Sequence, residues 1–187
     1  MGGRGLIGVL VSGRGTNLQA LLDEGLPVVA VASNVAGAPA LERAERAGVA
    51  TGTFELDNYA SREERDDAMG EWLAEHGAEL VVCAGYMHLL TAGVLARFPA
   101  INVHPSLLPD FPGTRAVEEA LAAGVDETGV TVHFVDEGVD TGPIVLQERV
   151  SVAPGDTPTT LHARLQEVEH RLLPRAVGLY LAGALRS

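Results

Sequence analysis

The sequence predicts an α/β domain with a mostly parallel twisted sheet, helices on both faces and an antiparallel extension near the carboxyl terminus. Short apolar runs alternate with longer segments of helical spacing through the first part of the chain, which is typical of βαβ units. Two β-rich runs near residue 140 lie too close together for a helical crossover, so they should pair as antiparallel neighbours. A length of 187 residues suits one hydrophobic core. We therefore expect a single domain over residues 1–187.

The amino-terminal part predicts strands in alternation with helices. Each predicted strand is a short apolar run, as expected for a parallel strand that is buried on both faces. Each predicted helix carries apolar residues at a spacing of three and four. The strands are expected at about 6–11, 28–33, 50–54, 80–84 and 100–104, and the helices at about 15–24, 38–48, 61–76 and 91–98.

The carboxyl-terminal part follows a different pattern. The runs 130–135 and 144–150 are rich in β-formers and are separated by a Gly/Asp turn, so we expect two antiparallel strands. From Thr157 onward, apolar residues at helical spacing predict a long closing helix. Because proline lacks an N–H and collides with the preceding turn, we expect an interruption near Pro174.

The charge of the chain argues against several classes of function. The net charge is −12, and all 13 basic residues are arginine. A broad nucleic-acid surface needs clustered cations, so no nucleic-acid partner is expected. The absence of lysine excludes a lysine Schiff base and a Walker-A loop. Anionic ligands would have to be bound by backbone N–H groups and a few arginines.

Cysteine and histidine usage favours a metal-free cytoplasmic protein. The single cysteine, Cys83, lies in an apolar run, which indicates a buried thiol in a reducing compartment. Neither a signal peptide nor an apolar stretch long enough to span a membrane is visible, so we expect a cytoplasmic location without a membrane partner. The histidines show no metal-ligand spacing, so no metal is expected.

An amide and an imidazole stand two residues apart at the end of the fifth predicted strand. Because side chains alternate along a strand, Asn102 and His104 should share one face. Pro105 should end the strand, which places the pair at the sheet edge where open α/β sheets bind ligands. Such groups can donate hydrogen bonds to a developing oxyanion, as acyl transfer requires. An inactive, hydrogen-bonded polar cluster is the alternative.

Two loops are further candidates. Residues 13–17 follow the first strand and open a helix, where glycines and free N–H groups can hold a phosphate, although a structural turn capped by Thr16 or Asn17 fits as well. The third glycine of a dinucleotide fingerprint is missing, since position 18 is Leu18. The acidic loop 136–142 matches no EF-hand, and a solvated turn is its simplest interpretation.

Taken together, these motifs resemble those of folate-dependent formyltransferases. The segments 102–109 and 133–143 resemble the family signature, and residues 12–19 resemble the phosphate loop of the member that acts on glycinamide ribonucleotide. The similarity runs from Ile7 to about Gly183. It implies formyl transfer from 10-formyltetrahydrofolate, as co-substrate, to the amine of that ribonucleotide in purine synthesis. A homodimer and a cis peptide at Leu108-Pro109 are also compatible with the family.

The resemblance assigns roles to individual residues. The catalytic residues would be Asn102, His104 and Asp140, with the aspartate beside the histidine. The phosphate loop would comprise Gly15, Thr16 and Asn17, and Glu169 would contact the substrate amine. The folate would be bound by Arg62, Met87, His88, Leu89, Leu90, Asn102, Asp136, Glu137, Gly138, Val139 and Asp140.

Several of these assignments have simpler alternatives. Arg62 and Glu169 lie in charged helical segments and would also fit a solvated face. His88 departs from the family pattern, because relatives commonly carry arginine at that position. The chain could instead be another folate-dependent formyltransferase, for example one acting on charged initiator tRNA, a related deformylase, or a non-catalytic nucleotide-binding module. The first two usually carry a further domain, and the tRNA enzyme needs a basic surface.

Overall fold

A twisted sheet of seven strands forms the centre of the protein, which the computed structural model describes for residues 5–185. Residues 1–4 and 186–187 of the expected domain lie outside the described part. The strands are β1 (Ile7–Val11), β2 (Val28–Ser33), β3 (Ala50–Thr53), β4 (Leu80–Cys83), β5 (Ala100–His104), β6 (Glu127–Phe134) and β7 (Ile144–Ser151). Their order is β3-β2-β1-β4-β5-β6-β7. The first five run parallel, and β6 and β7 extend the sheet in antiparallel pairing, which confirms the expected fold class.

The helices cover both faces of this sheet. They are α1 (Thr16–Asp23), α2 (Pro39–Arg46), α3 (Arg62–Glu75), α4 (Ala92–Arg97), α5 (Ala116–Ala123) and α6 (Pro158–Leu181). Buried residues of α1, α2, α5 and α6 form one apolar cluster with the sheet, and those of α3 and α4 form a second on the opposite face. None of the helices described is long and apolar enough to cross a membrane.

Strand β1 shows why the central parallel strands are apolar throughout. Its residues are all buried. Val9 and Val11 point into the first apolar cluster, whereas Leu10 points into the second. A strand covered by helices on both faces cannot place a charged side chain on either of them without desolvating it.

The strand order places a crevice at the carboxyl ends of β1 and β4. The chain adds β2 and β3 on one side of β1 and then returns to add β4 on the other side. Ligands of open α/β sheets bind at such a reversal. Antiparallel pairing of β5 with β6 sets Asn102 opposite His133 and His104 opposite Thr131. The pairing therefore brings a second histidine to the Asn102 side chain.

The expected interruption of the closing helix is wrong, because α6 continues through Pro174 without a break. Proline in a helix interior ordinarily costs about 3 kcal/mol, since one hydrogen bond is lost and its ring crowds the preceding turn. Here Pro174 is buried, and its neighbours Leu173 and Ala176 belong to the first apolar cluster. The packing energy of these buried residues of α6 outweighs the lost hydrogen bond.

Local features of the loops are also defined. A 3₁₀ turn at Leu56–Asn58, which the apolar pattern does not indicate, precedes α3. The Leu108-Pro109 peptide is cis, as the resemblance implied. α5 begins at Ala116, in the connection between β5 and β6.

Candidate active site

A cavity of about 970 Å³ opens beyond the carboxyl ends of β4 and β5. Its wall is formed by the segments that follow these strands, the loop between β6 and β7, and the first turns of α6. The cavity collects most of the residues that the sequence analysis assigned to catalysis and folate binding: Met87, His88, Leu89, Leu90, Asn102, His104, Asp136, Gly138, Val139 and Asp140.

Six of the expected site residues do not line this cavity. Arg62 is exposed in the first turn of α3, and Glu137 is exposed in the acidic loop. The other four, Gly15, Thr16, Asn17 and Glu169, lie on α1 and α6 or just before them. Arg14 is the residue of the phosphate loop that does reach the cavity wall.

His104 is held between a carbonyl and a carboxylate. Its Nε2 lies 2.8 Å from the carbonyl oxygen of Phe111, and its Nδ1 lies 3.4 Å from Asp140 Oδ2. A carbonyl oxygen only accepts, so Nε2 must carry a hydrogen and donate it. A hydrogen on Nδ1 would make its contact with the Asp140 carboxylate attractive. Phe111 and Asp140 thus orient the ring through its two nitrogens.

Both partners of His104 occupy an uncommon backbone conformation. Phe111 has φ of 50° and Asp140 has φ of 54°, which is the left-handed region that non-glycine residues rarely adopt. Such conformations cost free energy, and they cluster at ligand and catalytic sites. The Asp140 carboxylate is further fixed by the N–H of Gly113, which donates to Oδ2 at 2.8 Å.

The Asp140 carboxyl is held in its ionised form. Burial raises its pKa, but the nearby His133, the hydrogen bond from the Gly113 N–H and the nearby His104 together bring it below the ordinary value of 3.8. The carboxylate is therefore charged throughout the neutral range. A charged carboxylate beside an imidazole can accept a proton and pass it on, directly or through water.

His133, a residue that the sequence analysis did not place in the site, connects Asn102 with Asp140. Its Nδ1 lies 2.8 Å from the carbonyl oxygen of Phe134 and must donate to it. In the neutral ring, Nε2 is then an acceptor, and it lies 3.2 Å from Asn102 Nδ2 and 3.5 Å from Asp140 Oδ1. The Asn102 amide donates one N–H to His133 and keeps the other for a ligand.

We expect His133→Leu to lower kcat about tenfold, because the Asn102 amide loses the partner that fixes its orientation. The KM values of both substrates should change little. Adding His133→Leu to an Asn102→Ala variant should cause no further loss, since the two residues act as a unit. Steady-state kinetics of the single and double variants test this, with the remote, exposed His76→Ala as the control. Multiplicative losses in the double variant would contradict it.

The phosphate loop leaves a free helix start. α1 has no side-chain cap at its amino terminus, so neither Thr16 nor Asn17 caps it. The first helical hydrogen bond is donated by Gln19 N–H to the Gly15 carbonyl. The N–H groups of the first turn are therefore open to a ligand, and such groups suit a phosphate. Arg43 Nε donates to the Arg14 carbonyl at 2.7 Å and fixes the loop from α2.

Gly15 is required by conformation and by space. Its φ is 73°, and a Cβ atom there would lie 2.8 Å from the Cα of Ala40. We expect Gly15→Ala to lower the free energy of unfolding by about 2 kcal/mol. Gly13→Ala is a matched control, because a Cβ at Gly13 meets nothing within 4 Å. Urea unfolding of both variants measures the difference, and equal stabilities would contradict the expectation.

Two residues with separate expected roles are in direct contact. Asn17 Nδ2 donates to Glu169 Oε2 at 2.9 Å, and both side chains are buried. Glu169 is therefore not part of a solvated face. Asn17 Oδ1 is buried and has no hydrogen-bond partner among the described residues. This pair connects the phosphate loop with α6 beside the cavity.

The two aspartates of the acidic loop both line the cavity, but their contacts differ. Asp136 Oδ1 accepts from Thr141 Oγ1 at 2.6 Å and from the Gly138 N–H at 3.0 Å. The Thr141 hydrogen bond lowers the pKa of Asp136 most. Asp136 thus closes the turn, which leaves Asp140 as the acid of this loop that faces the two histidines.

Other parts of the cavity wall carry no local sequence signal. Tyr86, Gly113, Glu118 and His162 line the cavity, but they come from elements that are distant in the chain. The alternation of side chains along β6 is the signal that could have identified His133. It places His133 on the same face of the strand as Thr131, and β6 pairs with β5. The exact register, however, follows from the fold.

Comparisons with known proteins identify the family and support the fold. The family model described as formyl transferase matches residues 6–177. The crystal structure of glycinamide ribonucleotide transformylase 1 from Symbiobacterium toebii is 48% identical, covers 100% of this chain and 92% of that chain, and has a TM-score of 0.96. The phosphoribosylglycinamide formyltransferase of Bacillus halodurans is 38% identical, with coverage of 96% of each chain and a TM-score of 0.90.

Curated relatives are of two lengths. The phosphoribosylglycinamide formyltransferase of Haemophilus influenzae is 40% identical, over 96% of this chain and 89% of that protein. The trifunctional purine biosynthetic protein adenosine-3 of Gallus gallus is 44% identical over 96% of this chain, but the chain spans only 19% of its length. The matched family model, together with relatives that are similar along almost their whole length, shows that the chain belongs to the formyl transferase family.

Proposed function

We propose that this protein is an enzyme that transfers the formyl group of 10-formyltetrahydrofolate to the amine of glycinamide ribonucleotide, a step of purine synthesis. The observation that carries the proposal is the meeting of Asn102, His104 and Asp140 in one cavity. His104 Nδ1 lies 3.4 Å from the ionised Asp140 carboxylate, and His133 Nε2 lies between that carboxylate and the Asn102 amide. The names of the relatives supply the substrate.

The chemistry follows from these groups. The uncharged amine attacks the formyl carbon, and its carbonyl oxygen becomes an oxyanion in a tetrahedral intermediate. Asn102 Nδ2 donates a hydrogen bond to that oxygen. His104 donates a second from Nδ1, for which the oxyanion would replace the 3.4 Å contact with Asp140. Asp140, directly or through water, accepts the proton that the amine loses and returns it to the departing folate nitrogen. Collapse of the intermediate leaves the formylated amine and tetrahydrofolate.

The two ends of the site suit the two substrates. The free N–H groups at the start of α1 would bind the phosphate of the ribonucleotide, and the Asn17–Glu169 pair would lie near its amine. The exposed apolar side chains of Met87, Leu89 and Val139 would contact the folate ring system. No metal takes part in the proposed step. A cytoplasmic location and a homodimer complete the proposal, and sedimentation tests the dimer.

Turnover of the formyl donor tests the proposal most directly. Tetrahydrofolate release, followed by absorbance, should require glycinamide ribonucleotide and should match formylated product in amount. Release without the ribonucleotide would indicate a deformylase. Transfer to charged initiator tRNA instead would indicate another formyltransferase. Ribonucleotide binding by calorimetry without any turnover would indicate a non-catalytic nucleotide-binding module.

A further inference from the structure

The segment that follows β4, residues 85–91, forms one wall of the cavity and is here called the wall segment. It contains no helix or strand, and two of its apolar side chains, Met87 and Leu89, are 62% and 43% exposed. Its other two large side chains, Tyr86 and Leu90, are buried in the second apolar cluster and anchor the segment. At the remaining positions, its shape depends on hydrogen bonds from neighbouring elements.

A fully buried ion pair lies behind the wall segment. Arg65 and Asp66 of α3 both have no exposed surface, and Arg65 Nε donates to Asp66 Oδ1 at 2.6 Å. Burial of two charges is expensive, and an apolar pair of similar volume is often as stable. The stability of the fold alone therefore does not explain why an ion pair is buried at this place.

Each member of the pair binds the wall segment. Arg65 Nη1 lies 3.0 Å from His88 Nδ1, and Asp66 Oδ2 accepts the Thr91 N–H at 3.0 Å. These two contacts fix the middle and the end of the segment. At its start, the Ser12 N–H donates to the Gly85 carbonyl at 3.1 Å.

Arg65 also selects one form of the His88 ring. A guanidinium only donates, so His88 Nδ1 must accept and the ring hydrogen must sit on Nε2. Burial and the Arg65 charge both lower the pKa of His88, which favours the neutral ring. His88 Nε2 lies 3.4 Å from Asn34 Nδ2, but both nitrogens carry hydrogens in this form, so they make no hydrogen bond. The neighbouring Met87 N–H donates to Ser12 Oγ, which donates to Asn34 Oδ1 at 2.6 Å. The wall segment is thus joined to α3 through His88 and to the loops after β1 and β2 through Met87.

We propose that Arg65 and Asp66 form a positioning dyad that holds the wall segment, through His88 and the Thr91 N–H, in the shape that binds the formyl donor. The inference rests on the proposed function for the identity of that donor. The dyad contacts no reacting atom. Its effect should therefore appear in donor binding, while the chemical step and ribonucleotide binding stay unchanged.

A double-variant cycle tests the dyad. We expect Arg65→Met and His88→Phe each to raise the KM for 10-formyltetrahydrofolate about tenfold, the size of one hydrogen bond to a charged group. The kcat and the KM for the ribonucleotide should stay within about twofold. In the Arg65→Met/His88→Phe double variant, the KM for 10-formyltetrahydrofolate should be no higher than in either single variant. Arg46→Met, which removes an exposed arginine paired with Glu42, is the control.

Nitrogen-15 NMR of the histidines supplies a second readout that does not depend on turnover. In the wild-type protein, His88 should show a single tautomer with an accepting Nδ1, whereas Arg65→Met should give a mixture. If Arg65→Met unfolds because Asp66 is left unpaired, the Arg65→Met/Asp66→Asn variant and His88→Phe replace it in the same assays.

Each outcome decides between separate conclusions. An unchanged donor KM in His88→Phe, multiplicative effects in the double variant, or an unchanged tautomer would overturn the dyad. A wild-type protein without formyl transfer would overturn the proposed function instead. In that case the tautomer of His88 still reports whether Arg65 positions it.

Discussion

His104→Ala and Asn102→Ala are each expected to lower kcat/KM by about a hundredfold or more, the usual effect of removing one oxyanion donor. Both side chains lie on the same face at the end of β5 and line the cavity. The fold should persist in both variants. His104 borders an open cavity, so water can satisfy the Phe111 carbonyl that it leaves behind.

Kinetics and urea unfolding of the purified variants check this expectation together. His162→Ala is the matched control, because His162 lines the same cavity from α6 but is exposed. It should retain most of the activity. Wild-type kcat/KM in either His104→Ala or Asn102→Ala would remove that residue from the catalytic step.

Asp140→Asn is expected to lower kcat by between about a hundredfold and ten-thousandfold, the range for a general acid–base group. The amide oxygen of asparagine can still accept the Gly113 N–H, so the loop should keep its shape. The variant loses the charge beside His104 and the group that accepts the proton of the amine. Single-turnover measurements at saturating substrates isolate this step.

The pH dependence of stability supplies an independent check on Asp140. Its pKa is lowered in the folded protein, so its contribution to stability is present above the ordinary value of 3.8 and is lost as the pH falls through the lower folded-state value. The stability difference between wild type and Asp140→Asn should therefore shrink below about pH 4. A difference that is independent of pH would contradict this linkage.

The fold class followed from the sequence because the central parallel strands had to be apolar on both faces. Strand periodicity also placed Asn102 and His104 on one face, which the structure reproduces with the intervening Val103 in the core. Pro174 shows the limit of local rules. The loss of a backbone hydrogen bond can be read from the residue type, but the packing energy that outweighs it depends on helices distant in the chain.

The site was less accessible to sequence reasoning than the fold. Asp140 alone looks like a turn residue, and only its position between His104 and His133 distinguishes it from Asp136. Glu169 looked like a surface residue, yet it is buried against Asn17, which lies at the other end of the chain. Such pairings depend on register and helix packing, which no short segment encodes.

The late position of β6 in the chain has a consequence for biosynthesis. β6 covers the outer edge of β5, and it carries the histidine that orients Asn102. A nascent chain that has not yet emerged beyond Glu127 presents the β5 edge with unpaired N–H and C=O groups, the kind of surface on which strands of other chains can add. Closure of that edge and delivery of His133 to Asn102 depend on the same strand, so we expect a translation product that stops earlier to be both inactive and prone to aggregate.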